Sequence, residues 1–406
     1  MLYQMYELQR ASLAPMRLLA ASALQVMDTP ANFYRDTALG RVTYAALDSF
    51  EHTTRMFGKP PFELDFTEID GAPVAVTEEF VLEKPWGNLL HFKRETPRPN
   101  DRKVLMVAPM SGHYSTLLRG TVKEFLPDHE VYITDWHDAR DVPMLSPGFD
   151  LDDYIDYIVE FVKFLGPDLH IVAVCQPAVP VFAAISLMSE SEPDALPRSI
   201  TLIGGPIDTR QGVTEVNKFA QSHGISWFER NTIHRVPFGN KGFMRRVYPG
   251  FLQLAGFMAM NMDRHVDAHR QMFQHLVQGD GESLDAKRAF YTEYRSVMDL
   301  SAEYYLQTIQ TVFLEHRLPR GAMMHRTQKV DPSKITKVAL QTIEGERDDI
   351  SGIGQTKAAH TLASSLPEDM REHYEQEGVG HYGLFNGKRF SRDIAPRIKA
   401  FIAKHA

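Results

Sequence analysis

The single cysteine of the chain, Cys175, stands in the sequence HIVAVCQPA, which has the pattern of a nucleophile elbow. A short apolar strand is predicted to lead into the cysteine, and an apolar helix over residues 179–188 is predicted to follow it. Ala173 and Ala178 are small enough for this strand and helix to approach closely. The N-terminus of the helix would stabilise a thiolate, and the N–H group of Gln176 would point to a developing oxyanion. A buried structural cysteine is the alternative interpretation.

Two later loops contain an acid and a histidine that could activate this thiol. Asp348 lies in the loop GERDD after an apolar run over Val338–Ile343, with Asp349 beside it as a rival. His381 lies in the glycine-rich loop GVGHYG before the last predicted helix. In such an arrangement the histidine takes the thiol proton, and the acid fixes the tautomer and orientation of the imidazole. The chain order of nucleophile, acid and histidine is that of the α/β-hydrolases.

A second oxyanion donor is expected in the loop APMSGHY, which follows the apolar run Val104–Val107. Pro109 has no N–H group, so the N–H of Met110 is the favoured donor and that of Ser111 the reserve. Ser111 and His113 are also expected to contact the substrate. A role of His113 as a second base is the less favoured alternative to shaping the pocket.

Large aromatic side chains could line the substrate cleft. Trp136 is predicted to contribute to substrate binding, and Trp227 is a further candidate. Because large aromatic residues are often buried, packing in the core is the alternative for both.

No metal or other cofactor is expected. His265 and His269 have the i, i+4 spacing of a helical metal pair, but the sequence HVDAH lacks the glutamate of an HExxH motif. The chain has no GxxxxGK[ST] loop, and no GxGxxG follows a predicted strand. A metal site and nucleotide chemistry are therefore both disfavoured.

Short apolar runs alternate with amphipathic stretches along most of the chain. Those interpreted as central parallel strands are residues 104–107, 131–134, 171–174, 200–203 and 338–343. Two earlier runs, 74–82 and 88–92, are expected to form antiparallel edge strands. The clearest helix is predicted over Leu151–Leu165, with Asp150 as its N-cap. This alternation predicts an α/β fold with a doubly wound, mostly parallel sheet.

One long interval interrupts the alternation and defines the domain organisation. Residues 207–336 separate two strands that about a dozen residues could connect, so we predict a largely helical cap insertion there. The α/β-hydrolase core would then comprise residues 61–206 and 337–406, after a helical N-terminal extension over residues 1–60. The uncharged run Tyr248–Met262 in the cap is either a buried helix or an exposed apolar face for a hydrophobic substrate.

Composition and charge exclude several classes of protein. The chain has 406 residues, with 44 Lys or Arg against 52 Asp or Glu and a formal net charge of −8, so nucleic acid is not expected as a partner. One cysteine allows no intrachain disulfide, and no secretory signal is recognised, so a cytoplasmic location is predicted. The uncharged run Ile171–Ser189 contains two prolines, which favours a buried strand and helix over a membrane span.

Three segments resemble the intracellular polyhydroxybutyrate depolymerases: VCQPA around Cys175, YITDWHDARDVP over Tyr132–Pro143, and GGPIDTR over Gly204–Arg210. The resemblance extends over nearly the whole chain. It implies a cytoplasmic hydrolase whose triad of Cys175, Asp348 and His381 attacks amorphous poly(3-hydroxybutyrate) in storage granules. The expected products are 3-hydroxybutyrate and its oligomers, with the granule surface as partner and a homo-oligomer left open.

Two other functions remain open from the sequence. The polyhydroxyalkanoate synthases are similar in using cysteine, aspartate and histidine on the same fold, but their box is G-x-C-x-G. Ala173 and Pro177 occupy the glycine positions here, so the most specific synthase feature is missing. A granule-coating protein without catalysis is the alternative from another class, supported by the apolar cap.

Overall fold

A nine-stranded sheet lies at the centre of the protein. The computed structural model describes residues 2–29, 32–96, 98, 101–260 and 292–406. The strands of the sheet are β1 (Phe66–Ile69), β2 (Ala72–Leu82), β3 (Gly87–Arg94), β4 (Arg102–Val107), β5 (His129–Trp136), β6 (Leu169–Val174), β7 (Ser199–Ile203), β8 (Ala339–Gly345) and β9 (Arg371–Gln376).

The order of the strands is β1-β2-β3-β5-β4-β6-β7-β8-β9. Strand β3 is antiparallel to β2 and β5, whereas β5, β4, β6, β7, β8 and β9 pair in parallel. The carboxyl ends of the parallel strands therefore meet at one edge of the sheet, where ligand sites form in such folds. The predicted α/β-hydrolase fold is confirmed.

The central strands are buried, which explains why apolar runs in the sequence predicted them. Every residue of β6 and β7 is buried, as expected for strands covered by helices on both faces. The strands predicted from apolar runs are confirmed within two residues at each end. Strand β9, with the sequence REHYEQ, was not predicted, because it is a mostly half-buried edge strand without an apolar run.

Helices cover both the sheet and the insertion. Among the described residues, the α-helices of five residues or more are α1 (Leu2–Met27), α2 (Ala38–Thr54), α3 (Arg119–Phe125), α4 (Leu151–Leu165), α5 (Ala178–Ser191), α6 (Glu215–His223), α7 (Ile225–Thr232), α8 (Gly250–Met260), α9 (Ala302–Thr308), α10 (Ala358–Leu362) and α11 (Ala395–Lys404). The predicted bounds of α4 are confirmed, and a capping box between Asp150 and Asp153 begins the helix. No helix in the described ranges of the chain is long and apolar enough to cross a bilayer.

The segment between β7 and β8 carries α6 to α9 together with short strands that hydrophobic spacing did not indicate. Three of these strands form a small sheet, His234–Arg235, Arg246–Tyr248 and Leu300–Ser301. Helix α8 holds most of the apolar run, and its Phe251 stacks on Tyr6 of α1 with the ring centroids 4.0 Å apart. The N-terminal helix thus covers part of that apolar surface.

A buried carboxylate pair joins the N-terminal helix, the insertion and the core. Tyr3 Oη donates to Asp299 Oδ2 at 2.5 Å, and the N–H of Gly250 donates to Asp299 Oδ1 at 2.9 Å. The N–H of Asp299 in turn donates to Asp138 Oδ1 at 3.1 Å. Burial raises the pKa of Asp299 to about 6, although the hydrogen bond from Tyr3 opposes this shift. Burial and the charge of Asp299 also raise the pKa of Asp138.

We predict that Asp299 makes stability decrease between about pH 4 and pH 6. In this window the folded chain keeps a proton that the unfolded chain releases. The free energy of unfolding therefore falls as the pH rises to about 6, and it stays at the lower value at higher pH. Asp299→Asn keeps an acceptor for Gly250 and removes the titration. Urea unfolding at several pH values should show a decrease that is smaller in the variant by about 1 to 3 kcal/mol. Equal pH dependence in the two proteins would contradict the prediction.

Candidate active site

Cys175 occupies a sharp turn between β6 and α5. Its φ angle is 68°, in the left-handed region that residues other than glycine seldom adopt. Two backbone bonds hold the turn: the N–H of Cys175 donates to Ile203 O at 2.7 Å, and the N–H of Ala178 donates to Cys175 O at 3.1 Å. Pro177 directly precedes the first residue of α5. The side chain therefore projects from the carboxyl end of the sheet on a strained backbone, as in a nucleophile elbow.

The turn needs two small neighbours, Gly204 and Gly205, which directly follow strand β7. A Cβ atom on Gly205 would lie 2.1 Å from the Cβ of Ala178 and 3.1 Å from Cys175 O. Gly204 has a φ of 55°, and a Cβ there would lie 3.3 Å from both Asp348 Oδ2 and His381 Cε1. Backbone without side chains thus lets α5, the acid and the histidine approach one another.

Asp348 and His381 form a buried pair close to the cysteine. His381 Nδ1 lies 2.7 Å from Asp348 Oδ2, and the exposed fractions of the two side chains are 5% and 0%. The other carboxylate oxygen, Oδ1, accepts hydrogen bonds from the N–H groups of Ile350 and Ser351 at 2.9 and 2.8 Å. Asp349, the rival acid in the sequence, is exposed. Asp348, and not Asp349, is therefore the aspartate that is hydrogen-bonded to the His381 ring.

The electrostatic surroundings of His381 favour its charged form. Burial alone lowers the pKa of this imidazole, but the charges of Asp348 and of a Cys175 thiolate, with their hydrogen bonds, outweigh burial and raise the pKa well above its ordinary value. A ring that gains a proton between a carboxylate and a sulfur is stabilised there. The arrangement can take a proton from the thiol and hold it for a leaving group.

The predicted oxyanion donors lie side by side near the cysteine. The N–H of Met110 donates to Gln176 Oε1 at 3.3 Å, so the side-chain carboxamide of Gln176 already occupies the Met110 N–H. Met110 is buried, whereas Gln176 and Ser111 are half-buried. An oxyanion at this point would replace the carboxamide oxygen on the Met110 N–H.

His113 belongs to the loop over residues 108–114, called the oxyanion loop below, and Trp136 contacts the first residue of this loop. His113 Nε2 is 3.0 Å from Tyr294 O, and burial lowers the pKa of His113 to about 4, so the ring is neutral at pH 7. Trp136 is 2% exposed, and its Nε1–H donates to Ala108 O at 2.9 Å. These two contacts hold the loop in place. We therefore assign Trp136 to support of the loop and not to the substrate contact expected from the sequence.

Two tyrosines that the sequence did not indicate also lie near the cysteine. Tyr154 Oη in α4 donates to Ala108 O at 3.2 Å, and Tyr304 in α9 stacks on Tyr154 with centroids 5.6 Å apart. Burial raises the pKa of both tyrosines well above the usual value, and the charge of Cys175 contributes in each case. Neither tyrosine belongs to a motif, so only the folded chain shows their position.

The structure adds no candidate metal centre. In residues 2–260 and 292–406, apart from the few loop positions not described, no group of three or more His, Cys, Asp or Glu side chains could hold a metal ion. His265 and His269 lie outside the described residues.

We predict that Gly205→Ala destabilises the protein by about 1 to 3 kcal/mol and reduces activity, because the new methyl group would collide with Ala178 at the elbow. Urea unfolding would measure the loss. Gly148→Ala is the matched control, since a Cβ on Gly148 meets no atom within 4 Å. Equal stability of the two variants would contradict the tight packing described above.

Comparisons with known proteins found similar solved structures and one matching family model. Among solved structures, the chain is similar to a putative lipase from Acinetobacter baumannii AYE, with 13% identity, a TM-score of 0.43, and coverage of 81% of this chain and 93% of that one. It is also similar to a thermophilic esterase from Thermogutta terrifontis, with 12% identity, a TM-score of 0.42, and coverage of 84% of this chain and 98% of that one. An esterase from Rhodococcus sp. ECU1013 has 11% identity, a TM-score of 0.45, and coverage of 82% of this chain and 99% of that one. No curated protein sequence matches the chain significantly.

A family model described as the PHB de-polymerase C-terminus matches residues 204–406, which is half of the chain and includes both Asp348 and His381. The matched part begins directly after β7. The resemblance found in the sequence is thereby confirmed, and the chain belongs to the PHB depolymerase family.

Proposed function

We propose that this protein hydrolyses poly(3-hydroxybutyrate) in cytoplasmic storage granules through a cysteine acyl-enzyme. Family membership and the α/β-hydrolase fold indicate ester hydrolysis in general. The finer proposal depends on one observation: Cys175 stands on a nucleophile elbow beside the bonded pair of Asp348 and His381. The polymer, the granule and the cysteine mechanism are our inferences from that geometry and from the family.

In the first half of the reaction, His381 Nε2 takes the proton of the Cys175 thiol. The sulfur then attacks the ester carbonyl carbon, and the carbonyl electron pair moves onto oxygen. The N–H groups of Gln176 and Met110 would bind this oxyanion. When the intermediate collapses, the alkoxide leaves with the proton from His381, and a 3-hydroxyacyl thioester remains on the sulfur. Asp348 keeps the Nδ1–H of the ring bonded throughout, so that Nε2 faces the sulfur.

In the second half, water attacks the thioester. His381 takes one proton of the water, a second tetrahedral intermediate forms, and its collapse expels the cysteine sulfur. The acid is released, and the thiol regains its proton from His381. A chain-end hydroxyl in place of water would give polymer synthesis, so the accepted nucleophile separates a depolymerase from a synthase.

The surface offers apolar side chains for contact with a water-insoluble polymer. Leu145 is 100% exposed and Phe238 is 87% exposed, each on a loop of the protein surface. These loops are joined, because Arg245 Nη2 donates to Pro143 O at 2.6 Å. If the two side chains form one contiguous apolar patch, that patch would be typical of a surface that binds other molecules. Such a patch would support attachment to a granule.

Cys175→Ala should bind granules of amorphous poly(3-hydroxybutyrate) and release at least about a thousandfold less 3-hydroxybutyrate than the wild type, because no nucleophile remains. Released acid and bound protein would be measured in the same tubes.

Equal release by both proteins would make Cys175 structural and remove the proposed mechanism. If neither protein releases acid, polymerisation from 3-hydroxybutyryl-coenzyme A would support the synthase alternative. Binding without either reaction would support a coat protein.

Asp348→Asn should lower kcat by about a hundredfold or more, because the imidazolium loses its carboxylate partner. Asp349→Asn is the matched control on the adjacent exposed residue, and its activity should stay within about twofold of the wild type.

The same substitution has a spectroscopic consequence. The Asp348 charge is a main cause of the raised pKa of His381, so the His381 ring of Asp348→Asn should lose its proton at a lower pH than in the wild type. An NMR titration of the ring would measure this. An unchanged titration, or equal losses of activity in the two aspartate variants, would exclude Asp348 as the orienting acid.

A further inference from the structure

The hydroxyl group of Tyr304 is buried near Cys175 and has no hydrogen-bond partner among the described residues. The residue is 1% exposed, and its Oη finds no partner of acceptable geometry in the described part of the chain. Burial raises the pKa of Tyr304 well above its usual value, and a Cys175 thiolate raises it further. The hydroxyl therefore stays protonated within electrostatic reach of the sulfur, as a hydrogen-bond donor.

A second hydroxyl on the same helix shares this condition. Thr308 follows Tyr304 by four residues in α9, so both lie on one face of the helix. Thr308 is 8% exposed, and its Oγ1 also lacks a partner among the described residues. Tyr304 Oη lies near this oxygen and near the Gln176 carboxamide, but no hydrogen bond of acceptable geometry joins them. The Tyr304 hydroxyl thus adjoins Gln176, the residue after Cys175, and the Thr308 hydroxyl lies beside that of Tyr304.

The Tyr304 ring has little freedom to move its hydroxyl elsewhere. It stacks on Tyr154 at 5.6 Å with an interplanar angle of 14°, and it contacts Phe149 at 5.8 Å. Tyr154 is itself held by the hydrogen bond to Ala108 O. A donor fixed in this way is ready for a ligand group that arrives at the sulfur.

Leaving buried hydroxyls unpaired costs free energy that a bound ligand can recover. In the acyl-enzyme of the proposed reaction, the thioester carbonyl lies at the sulfur and C3 lies two carbons further along the acyl chain. C3 carries an oxygen, which is a hydroxyl at a chain end and an ester oxygen within the chain. A plain fatty acyl group has no acceptor at that carbon.

We propose that Tyr304, with Thr308, forms a subsite that binds the C3 oxygen of the acyl group on Cys175 and so selects 3-hydroxyacyl esters over plain acyl esters. This inference rests on the proposed function, because it places an acyl group on the cysteine. The Tyr304 hydroxyl donates to the C3 oxygen, and the Thr308 hydroxyl completes the polar lining. A site built to bind a substrate oxygen discriminates against the analogue that lacks it, because its own polar groups are then left unpaired.

The test compares p-nitrophenyl 3-hydroxybutyrate with p-nitrophenyl butyrate as substrates of the full chain. Tyr304→Phe should lower the ratio of the two kcat/KM values, hydroxy ester over plain ester, by about 3- to 10-fold, and leave the butyrate value within about twofold. Tyr305→Phe is the matched control: it makes the same change on the neighbouring residue, whose ring stacks on Tyr248 at 4.1 Å. The control should leave the ratio unchanged.

Two results would overturn the inference. Equal losses on both substrates would assign Tyr304 to the shared ester group or to folding, and an unchanged ratio would make its hydroxyl structural. If Tyr304→Phe does not fold, Thr308→Val removes the second hydroxyl at nearly constant volume and should lower the same ratio, to a smaller extent. A wild type that shows no preference for the hydroxy ester, or cleaves neither ester, would also overturn the subsite.

Failure of the proposed function would look different. A wild type that prefers the hydroxy ester but releases nothing from polymer granules would refute the polymer substrate and keep the subsite. Release from granules without any preference between the small esters would refute the subsite and keep the depolymerase.

Discussion

The backbone at Cys175 adopts a left-handed conformation, and the rest of the site is arranged around that constraint. A residue with a side chain in this region of φ costs about 1 to 3 kcal/mol, which the surrounding structure must supply. The hydrogen bond from Cys175 N–H to Ile203 O and the close contact of Ala178 with Gly205 hold the turn. Packing thus maintains the strain at the carboxyl ends of the fully buried strands β6 and β7, where the sulfur lies in front of the N-terminus of α5.

Parallel pairing explains how distant segments reach the sulfur. Strands β6, β7 and β8 are neighbours in the sheet, so the residues that follow them meet at one edge. Cys175 follows β6, Gly204 follows β7, and Asp348 lies three residues beyond β8. His381 follows β9, the strand with the weakest sequence signal. The proximity of Cys175, Asp348 and His381 is therefore a consequence of strand order.

The segment between β7 and β8 packs against the core close to Cys175. Its Tyr304 stacks on core residue Tyr154, and the carbonyl of Tyr294 lies 3.0 Å from His113 in the oxyanion loop. The pair of Asp299 and Asp138 ties the insertion to the core, with Tyr3 of the N-terminal helix bonded to the same carboxylate. Core, insertion and extension consequently share a buried polar network, whose members depend on one another for their hydrogen bonds.

The sequence by itself determined the parts of this protein that local patterns encode. Apolar runs located the central strands because these are buried on both faces, and small residues around Cys175 indicated the elbow because only they allow strand and helix to pack there. It favoured Asp348 as the acid but left Asp349 as a rival, because the two residues are adjacent and chemically identical. Tertiary structure decided that choice by burying one beside His381 and exposing the other. It also decided the positions of Trp136 and Tyr304, since whether an aromatic residue packs under a loop or lies near Cys175 depends on contacts between segments far apart in the chain.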